Sequence, residues 1–274
     1  TNNQQPTTNN QQPTTNNQQP TTNNQQPTTN NQQPTHNNLT LDRSEIRKAI
    51  LKSQHCQRNF DLSQTFPEED IELLKTAISQ CPSKQNIAFY KAHFIFDREI
   101  IEKLHNETKG FTIKTTENEP LKSQTNSQIL ANLVVVFEEI EPSRKDSKFY
   151  TNEQLERKAQ NNASQADLQT LKKDKQLAVG VAAGYLNLTA TLLGYSTGCC
   201  SCFSGANIRK ILHLENQVLL MMGIGFKDIN RNRREHHLDK NFIFPSKRKQ
   251  PIEVNIIGDW KKTGYPITKT ASNL

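Results

Sequence analysis

Residues 1–35 contain no charged side chain and no apolar side chain able to seed a core. They are five copies of Thr-Asn-Asn-Gln-Gln-Pro-Thr, starting at Thr1, Thr8, Thr15, Thr22 and Thr29. With nothing to bury, and with a proline every seventh residue to interrupt any helix, the array predicts a disordered, solvated tail. The lack of an apolar a or d position excludes a coiled coil despite the seven-residue period. It also excludes a solenoid, because no unit has a face to bury against the next. Residues 36–274 remain, enough for one domain with a single core.

Two further scarcities narrow the class. The longest apolar run, about 17 residues from Leu177 to Leu193, is interrupted by Asn187 and two threonines, so a buried helix is expected rather than a membrane span. Five cysteines, an odd number with three packed into 199–202, do not resemble an extracellular disulfide framework and predict a reducing, cytoplasmic setting. No signal peptide is visible, although the sequence does not begin with Met. The net charge of +7 falls entirely on residues 36–274. It is compatible with nucleic acid, with an anionic cofactor, or with solubility alone.

The repeat also carries information in its codons. A single heptanucleotide, ACCAACA, repeated in tandem encodes Thr-Asn-Asn-Gln-Gln-Pro-Thr across its three frames. Since seven is not a multiple of three, gain or loss of one unit shifts the downstream frame, and the tract is expected to be a slippage-prone switch of expression.

Along the chain, Ile46, Ala49 and Ile50 recur at helical spacing from Leu41 to about Lys52, capped by Thr40 or Asp42. A loop, residues 54–60, follows with His55 and Arg58. A second helix opens at Pro67 with Glu68, Glu69 and Asp70 in its first turn, buries Ile71, Leu74, Ala77 and Ile78, and ends at Cys81-Pro82. Phe89 to Phe96 reads as a strand, and Asp97 caps a helix that stops near Gly110. Phe111 to Ser127 reads as loop or a partly ordered insertion, Ile129 to Phe137 as a buried strand, and 152–173 as helix within a polar stretch. The run from Leu177 is apolar nearly all round, which predicts burial, and Gly180 and Gly184 leave a side where another backbone or a flat ligand could approach. A Gly- and Cys-rich turn is expected after Gly194, then a central strand from Val218 to Phe226 and a basic, exposed stretch from Arg231 to His237. Mixed helices and strands, with two helices first, give an α+β class.

Cationic groups from separate segments, His55 with Arg58, Lys84, and Lys247 with Lys249, are what a phosphate needs to converge on it. Each is also an ordinary surface charge when taken singly, and Lys247-Arg248-Lys249 equally fits a nucleic-acid patch. Cys199, Cys200 and Cys202 lack the paired spacing and nearby His of a zinc site, so no metal is expected and they read as small packing residues.

These segments, in this order, resemble the flavin-dependent nitroreductase family. Gln54-His55-Cys56-Gln57-Arg58-Asn59-Phe60 is similar to its opening Arg-x-Ser-x-Arg/Lys-x-Phe motif, and Pro82-Ser83-Lys84-Gln85-Asn86 to its Pro-Ser-x-x-Asn. The helix Ala178 to Gly194 with its following turn, the strand Leu219 to Gly225, and Lys247-Arg248-Lys249-Gln250-Pro251-Ile252-Glu253 look like later family segments. The match spans about 44–258.

The resemblance implies a nitroreductase-like fold, with a mainly antiparallel central sheet flanked by helices, over 36–274, and FMN as cofactor with NADH or NADPH as reductant. It implies that His55, Cys56, Arg58, Lys247 and Lys249 face the flavin phosphate and ribityl chain. Pro82, Ser83 and Asn86 would contact the isoalloxazine from a partner subunit of a homodimer. Gln124 and the backbone near Ser201 and Cys202 would also face the flavin. The chemistry would be flavin-centred, with no catalytic side chain, passing a hydride by a ping-pong mechanism to a small acceptor such as a nitroaromatic or quinone. Departures stand at Gln54, Cys56, Ser127, Phe226-Lys227 and Lys249, and the loss of bidentate arginines at 54 and 249 predicts a weaker phosphate grip. The alternatives are a same-fold flavoprotein with another reaction (dehalogenation, ring oxidation or flavin destruction) and a basic nucleic-acid-binding module using Arg231–Arg234 and Lys247–Lys249.

Overall fold

Leu133–Glu139 (β4) is a β-branched and aromatic run, Leu-Val-Val-Val-Phe-Glu-Glu, and a strand of that composition is stable only if both faces are covered. A computed structural model describes residues 42–113, 122–140, 165–245 and 249–258, and in it β4 is the central strand. Its neighbours are Tyr90–Ile95 (β1) on one side and Val218–Gly225 (β6) on the other, and Ser196–Cys200 (β5) closes the far edge of β6. The order is β1-β4-β6-β5 and every pairing is antiparallel. A separate two-stranded ribbon joins Phe111–Ile113 (β2) to Lys122–Gln124 (β3), inside the stretch expected to be loop.

Alternate residues of β4 sort onto two helical layers. Leu133, Val135 and Phe137 pack with Leu74 and Ile78 of Glu68–Ser79 (α2) and with Val179, Ala182 and Leu186 of Gln165–Leu192 (α4). Val134 and Val136 face the other way, onto Ile101 and Leu104 of Arg98–Asn106 (α3) and Ile208 of Gly205–Leu212 (α5). The first helix, Arg43–Ser53 (α1), is capped by Asp42, whose side chain accepts from the Ser44 N–H at 2.8 Å. Ala49 of α1 is buried, whereas Ile50, expected beside it, is 52% exposed. Asp97 caps α3 by accepting from the Ile100 N–H.

Four expectations are revised. The buried helix begins earlier, at Gln165, because the polar residues before Leu177 continue the same helix. It is not buried all round: Ala178, Val179, Ala182, Ala183, Leu186 and Ala190 face the sheet, while Leu177, Val181, Tyr185 and Leu192 are exposed. The turn after Gly194 is an edge strand, since Ser196 to Cys200 pair with Gly225 to Met221. The strand expected from Ile129 starts at Leu133, because Ser127–Ile129 form a 3₁₀ turn that folds over the sheet end. No described helix is long and apolar enough to cross a membrane. The repeat array, the 152–164 part of the polar helix, and Lys247 lie outside the described residues.

Candidate functional site

Two glycines explain why polar loops can approach the sheet here. A Cβ at Gly223 of β6 would stand 1.9 Å from the Gln128 carbonyl oxygen, and one at Gly198 of β5 would stand 2.5 Å from the Gln128 Cβ and 3.0 Å from the Cys56 Sγ. Side chains at those positions would push the 126–130 turn and the 54–60 loop off the sheet. With glycine there, both segments settle against β5: the Gln57 N–H donates to the Thr197 carbonyl at 2.8 Å, and the Gln128 Nε2 donates to the Cys199 carbonyl at 3.2 Å.

Arg58 is the hub. One terminal nitrogen donates to the Gln128 Oε1 and, at 3.3 Å, to the Asn126 Oδ1. Its guanidinium carbon lies 4.1 Å from the centre of the Phe244 ring, a cation–π contact. Its carbonyl accepts from the Ser127 Oγ at 2.7 Å, and its N–H donates to the Arg233 carbonyl at 2.9 Å. Ser127 is marked in the sequence only as a departure, Phe244 carries no sequence signal, and Asn126 and Gln128 are unmarked. Their only signal is the polar run Gln124 to Gln128, and Gln124, which was marked, instead donates from its Nε2 to Asp239 at 3.0 Å.

The segment after β6 folds back over this loop. Buried Asn59 donates through its Nδ2 to the carbonyls of Asn232 and Glu235 at 2.8 and 3.0 Å, and Arg233 donates from a terminal nitrogen to the Cys56 carbonyl at 3.2 Å. Arg231 pairs with Glu235 at 3.1 Å and donates to the carbonyls of His236 and His237, and Arg234 donates to the Phe244 carbonyl. The stretch expected to be basic and exposed is therefore half-buried, with the guanidinium groups of Arg231 and Arg234 bonded to protein acceptors. Behind it lies a buried histidine network. Leu238 N–H donates to the His236 Nδ1, so the His236 Nε2 carries the proton towards the Thr125 Oγ1 at 3.3 Å, and the Thr125 hydroxyl is then free to donate to the His105 Nε2 at 2.6 Å. Burial, followed by the nearby charge of His236, depresses His105 to about 4. Burial, with Arg98 and Arg231, depresses His237 to about 4.

Of the marked residues, His55, Cys56 and Arg58 come together. His55 is exposed, and its basicity is lowered by burial and by the Arg233 charge. Burial pushes the Cys56 thiol up against the opposing pull of Arg58 and Arg233, and burial raises Cys200 to about 11, so both stay protonated at neutral pH. Ser201 and Cys202 are exposed just past β5, and the Cys202 carbonyl accepts from the Lys109 N–H at 2.8 Å. Pro82, Ser83 and Asn86 line a separate groove of about 880 Å³ between α2 and β1, which none of His55, Cys56, Arg58, Gln124, Ser201 or Cys202 lines. Lys249 lies in an exposed segment whose Ile252, Val254, Ile256 and Ile257 are at least 70% exposed. Among the described residues, His55, Arg58 and Arg233 form no ion pair with a carboxylate.

The family model for the nitroreductase family matches residues 51–226, which begin just before the 54–60 loop and end just after β6. The chain belongs to the nitroreductase family. That membership places it among flavin oxidoreductases. Solved structures agree in fold. The ydfN protein of Bacillus subtilis matches with a TM-score of 0.52 at 14% identity, over 78% of this chain and 99% of that one. A nitroreductase family protein of Streptococcus pneumoniae matches with a TM-score of 0.51 at 17% identity, over 76% and 100%. Nitroreductase A of Vibrio parahaemolyticus matches with a TM-score of 0.50 at 17% identity, over 76% and 78%. No curated protein matches this chain by sequence. The nitroreductase-like fold and the antiparallel sheet expected from the resemblance are thus the observed ones, while the residues that meet at the sheet end are only partly those the motifs mark.

Proposed function

We propose that the protein binds FMN at the loop 54–60 and the end of the β5–β6 edge, takes a hydride from NADH or NADPH, and delivers it to a small acceptor such as a nitroaromatic or quinone. The carrying observation is the pair of guanidinium groups Arg58 and Arg233, drawn with His55 to one loop without a carboxylate among the described residues to neutralise them. A basic set left unpaired in a half-buried loop fits an anionic ligand. The residues present fit FMN in kind. The cations beside residues 55–57 suit a phosphate, and Arg58, fixed by Gln128 and Phe244, offers a rigid positive charge beside a polar amide pair.

When bound, FMN supplies the two-electron chemistry. The chain's part is to hold Arg58 in one place, to present neutral thiols rather than competing nucleophiles, and to cover one side of the site with 227–245. The exposed apolar face of α4, where Gly180 and Gly184 have open space in front of them, supports a homodimer. So do the exposed isoleucines and valine of 252–257, and the separation of the 82–86 groove from the Arg58 loop, because a partner's copy of one half could complete the other.

Half-reactions test the reading. FMN-loaded protein should bleach in the flavin bands under anaerobic NADH or NADPH. After removal of the nucleotide, it should regain them on adding a quinone or nitroaromatic. Loaded protein that neither nucleotide bleaches would contradict it.

A further inference from the structure

We propose that Arg233 supplies the phosphate-binding guanidinium that is missing at position 54, so that in this chain the FMN phosphate is gripped by a residue from the segment after β6. The inference rests on the FMN reading above. Position 54 carries Gln, whose Nε2 is turned back onto the Leu51 carbonyl at 3.0 Å, at the end of α1. Arg58 is held at the sheet end, one terminal nitrogen bonded to Gln128 and Asn126 and its face on Phe244, so it leaves room for a second guanidinium beside Cys56. The His55 N–H donates to the Lys52 carbonyl and the Gln57 N–H to the Thr197 carbonyl, so an anion beside Cys56 needs a side-chain cation, and burial with the Arg233 charge lowers the basicity of His55.

Arg233 fills the gap geometrically. Two contacts fix it to the loop: its carbonyl accepts from the Arg58 N–H at 2.9 Å, and its guanidinium donates to the Cys56 carbonyl at 3.2 Å. Only that one donor is committed to a protein acceptor among the described residues, and no carboxylate neutralises the group. Arg231 is used up by Glu235 and the carbonyls of 236 and 237, while Arg234 commits one terminal nitrogen to the Phe244 carbonyl. Of these three arginines, Arg233 is the one whose donor reaches the 54–58 loop, and it keeps its other N–H groups available beside His55 and Cys56. A planar fork with spare N–H groups is what a phosphate dianion takes in bidentate fashion. The clamp also gives the loop and the covering segment a shared ligand, so binding of the phosphate would tie 54–58 to 232–234.

The test compares FMN with riboflavin, which lacks the phosphate, by quenching of flavin fluorescence in protein stripped of flavin. Arg233→Gln should weaken FMN by about 10- to 100-fold and leave riboflavin unchanged, the range expected for one charged hydrogen-bonding partner. Gln54→Arg added to that variant should restore most of the FMN affinity. Arg233→Lys, which keeps the charge but not the fork, should fall between, and serves if the Gln variant is unfolded. Equal losses for FMN and riboflavin would show a role in folding the loop alone and overturn the proposal. FMN affinity unchanged by both substitutions would overturn it too. If the unsubstituted protein binds neither flavin, the FMN reading itself fails and this proposal with it, an outcome distinct from a parent that binds FMN and a variant that binds it equally well.

Discussion

His105, 3% exposed, and His236, 2% exposed, share the hydroxyl of Thr125, and this sets how the protein responds to acid. Burial and the proximity of His236 and Arg98 keep His105 neutral in the fold down to about pH 4, whereas in the unfolded chain it takes a proton near 6.5. A depressed folded value means that the contribution to stability is complete above pH ~6.5 and is lost as pH falls through about 4. For His105 this amounts to roughly 3 kcal/mol. The urea midpoint should therefore drop between pH 6.5 and 4, and His105→Gln should flatten that dependence. A midpoint that is level across the window would contradict the buried neutral network. None of these partners was legible in the sequence. His105 looked like one more residue in the last turn of α3, and the turns between 226 and 244 that bring His236 to it follow no hydrophobic period.

At the scale of elements, the strands and helices with strong periodicity or composition were legible. The Val-rich β4, the Pro-Glu-Glu-Asp start of α2 and the Asp97 cap of α3 all lie within a few residues of where pattern and capping chemistry place them. Elements defined by tertiary contact were not. β5 reads as a turn because Ser-Thr-Gly-Cys-Cys has little strand propensity; it is a strand because β6 pairs with it and Gly198 admits Gln128 and Cys56. α5 went unmarked because Ile208 is its only buried residue. The same packing yields a prediction. Gly223→Ala would drive a Cβ into the Gln128 carbonyl, so it should cost about 2–4 kcal/mol in urea unfolding and displace the turn that holds Arg58, lowering FMN affinity as well. An Ala variant as stable as the parent would mean that the turn does not lie against β6 as described.

For the molecule as a whole, the exposed apolar side of α4 is the feature that a single chain does not explain. Val181→Asp places a charge on that face at a residue already 40% exposed, so the fold should survive while self-association fails. Light scattering should find the parent as a dimer and the variant as a monomer, with unchanged helical circular dichroism. A monomeric parent would remove the dimer from the account.

The repeat at residues 1–35 poses a separate question at the same scale. If the tract repeats every seven bases, the peptide fixes the unit as ACCAACA, and all three frames of that unit encode the same cyclic heptapeptide without a stop. A change of one unit would leave the repeat peptide intact and shift the frame of everything after it. Sequencing the tract in many clones should show unit numbers that differ, with the protein made only in every third class. Codons that do not repeat every seven bases would rule this out.

The most direct measurement is the visible spectrum of the purified protein after incubation with FMN and removal of free flavin on a desalting column. Flavin bands should be retained at one FMN per chain. Most of that flavin should be lost when Arg58 is changed to Ala, because the group at the centre of the site is gone. A parent protein that leaves the column colourless, or an Arg58→Ala variant that keeps its full complement of FMN, would contradict the placement of the site.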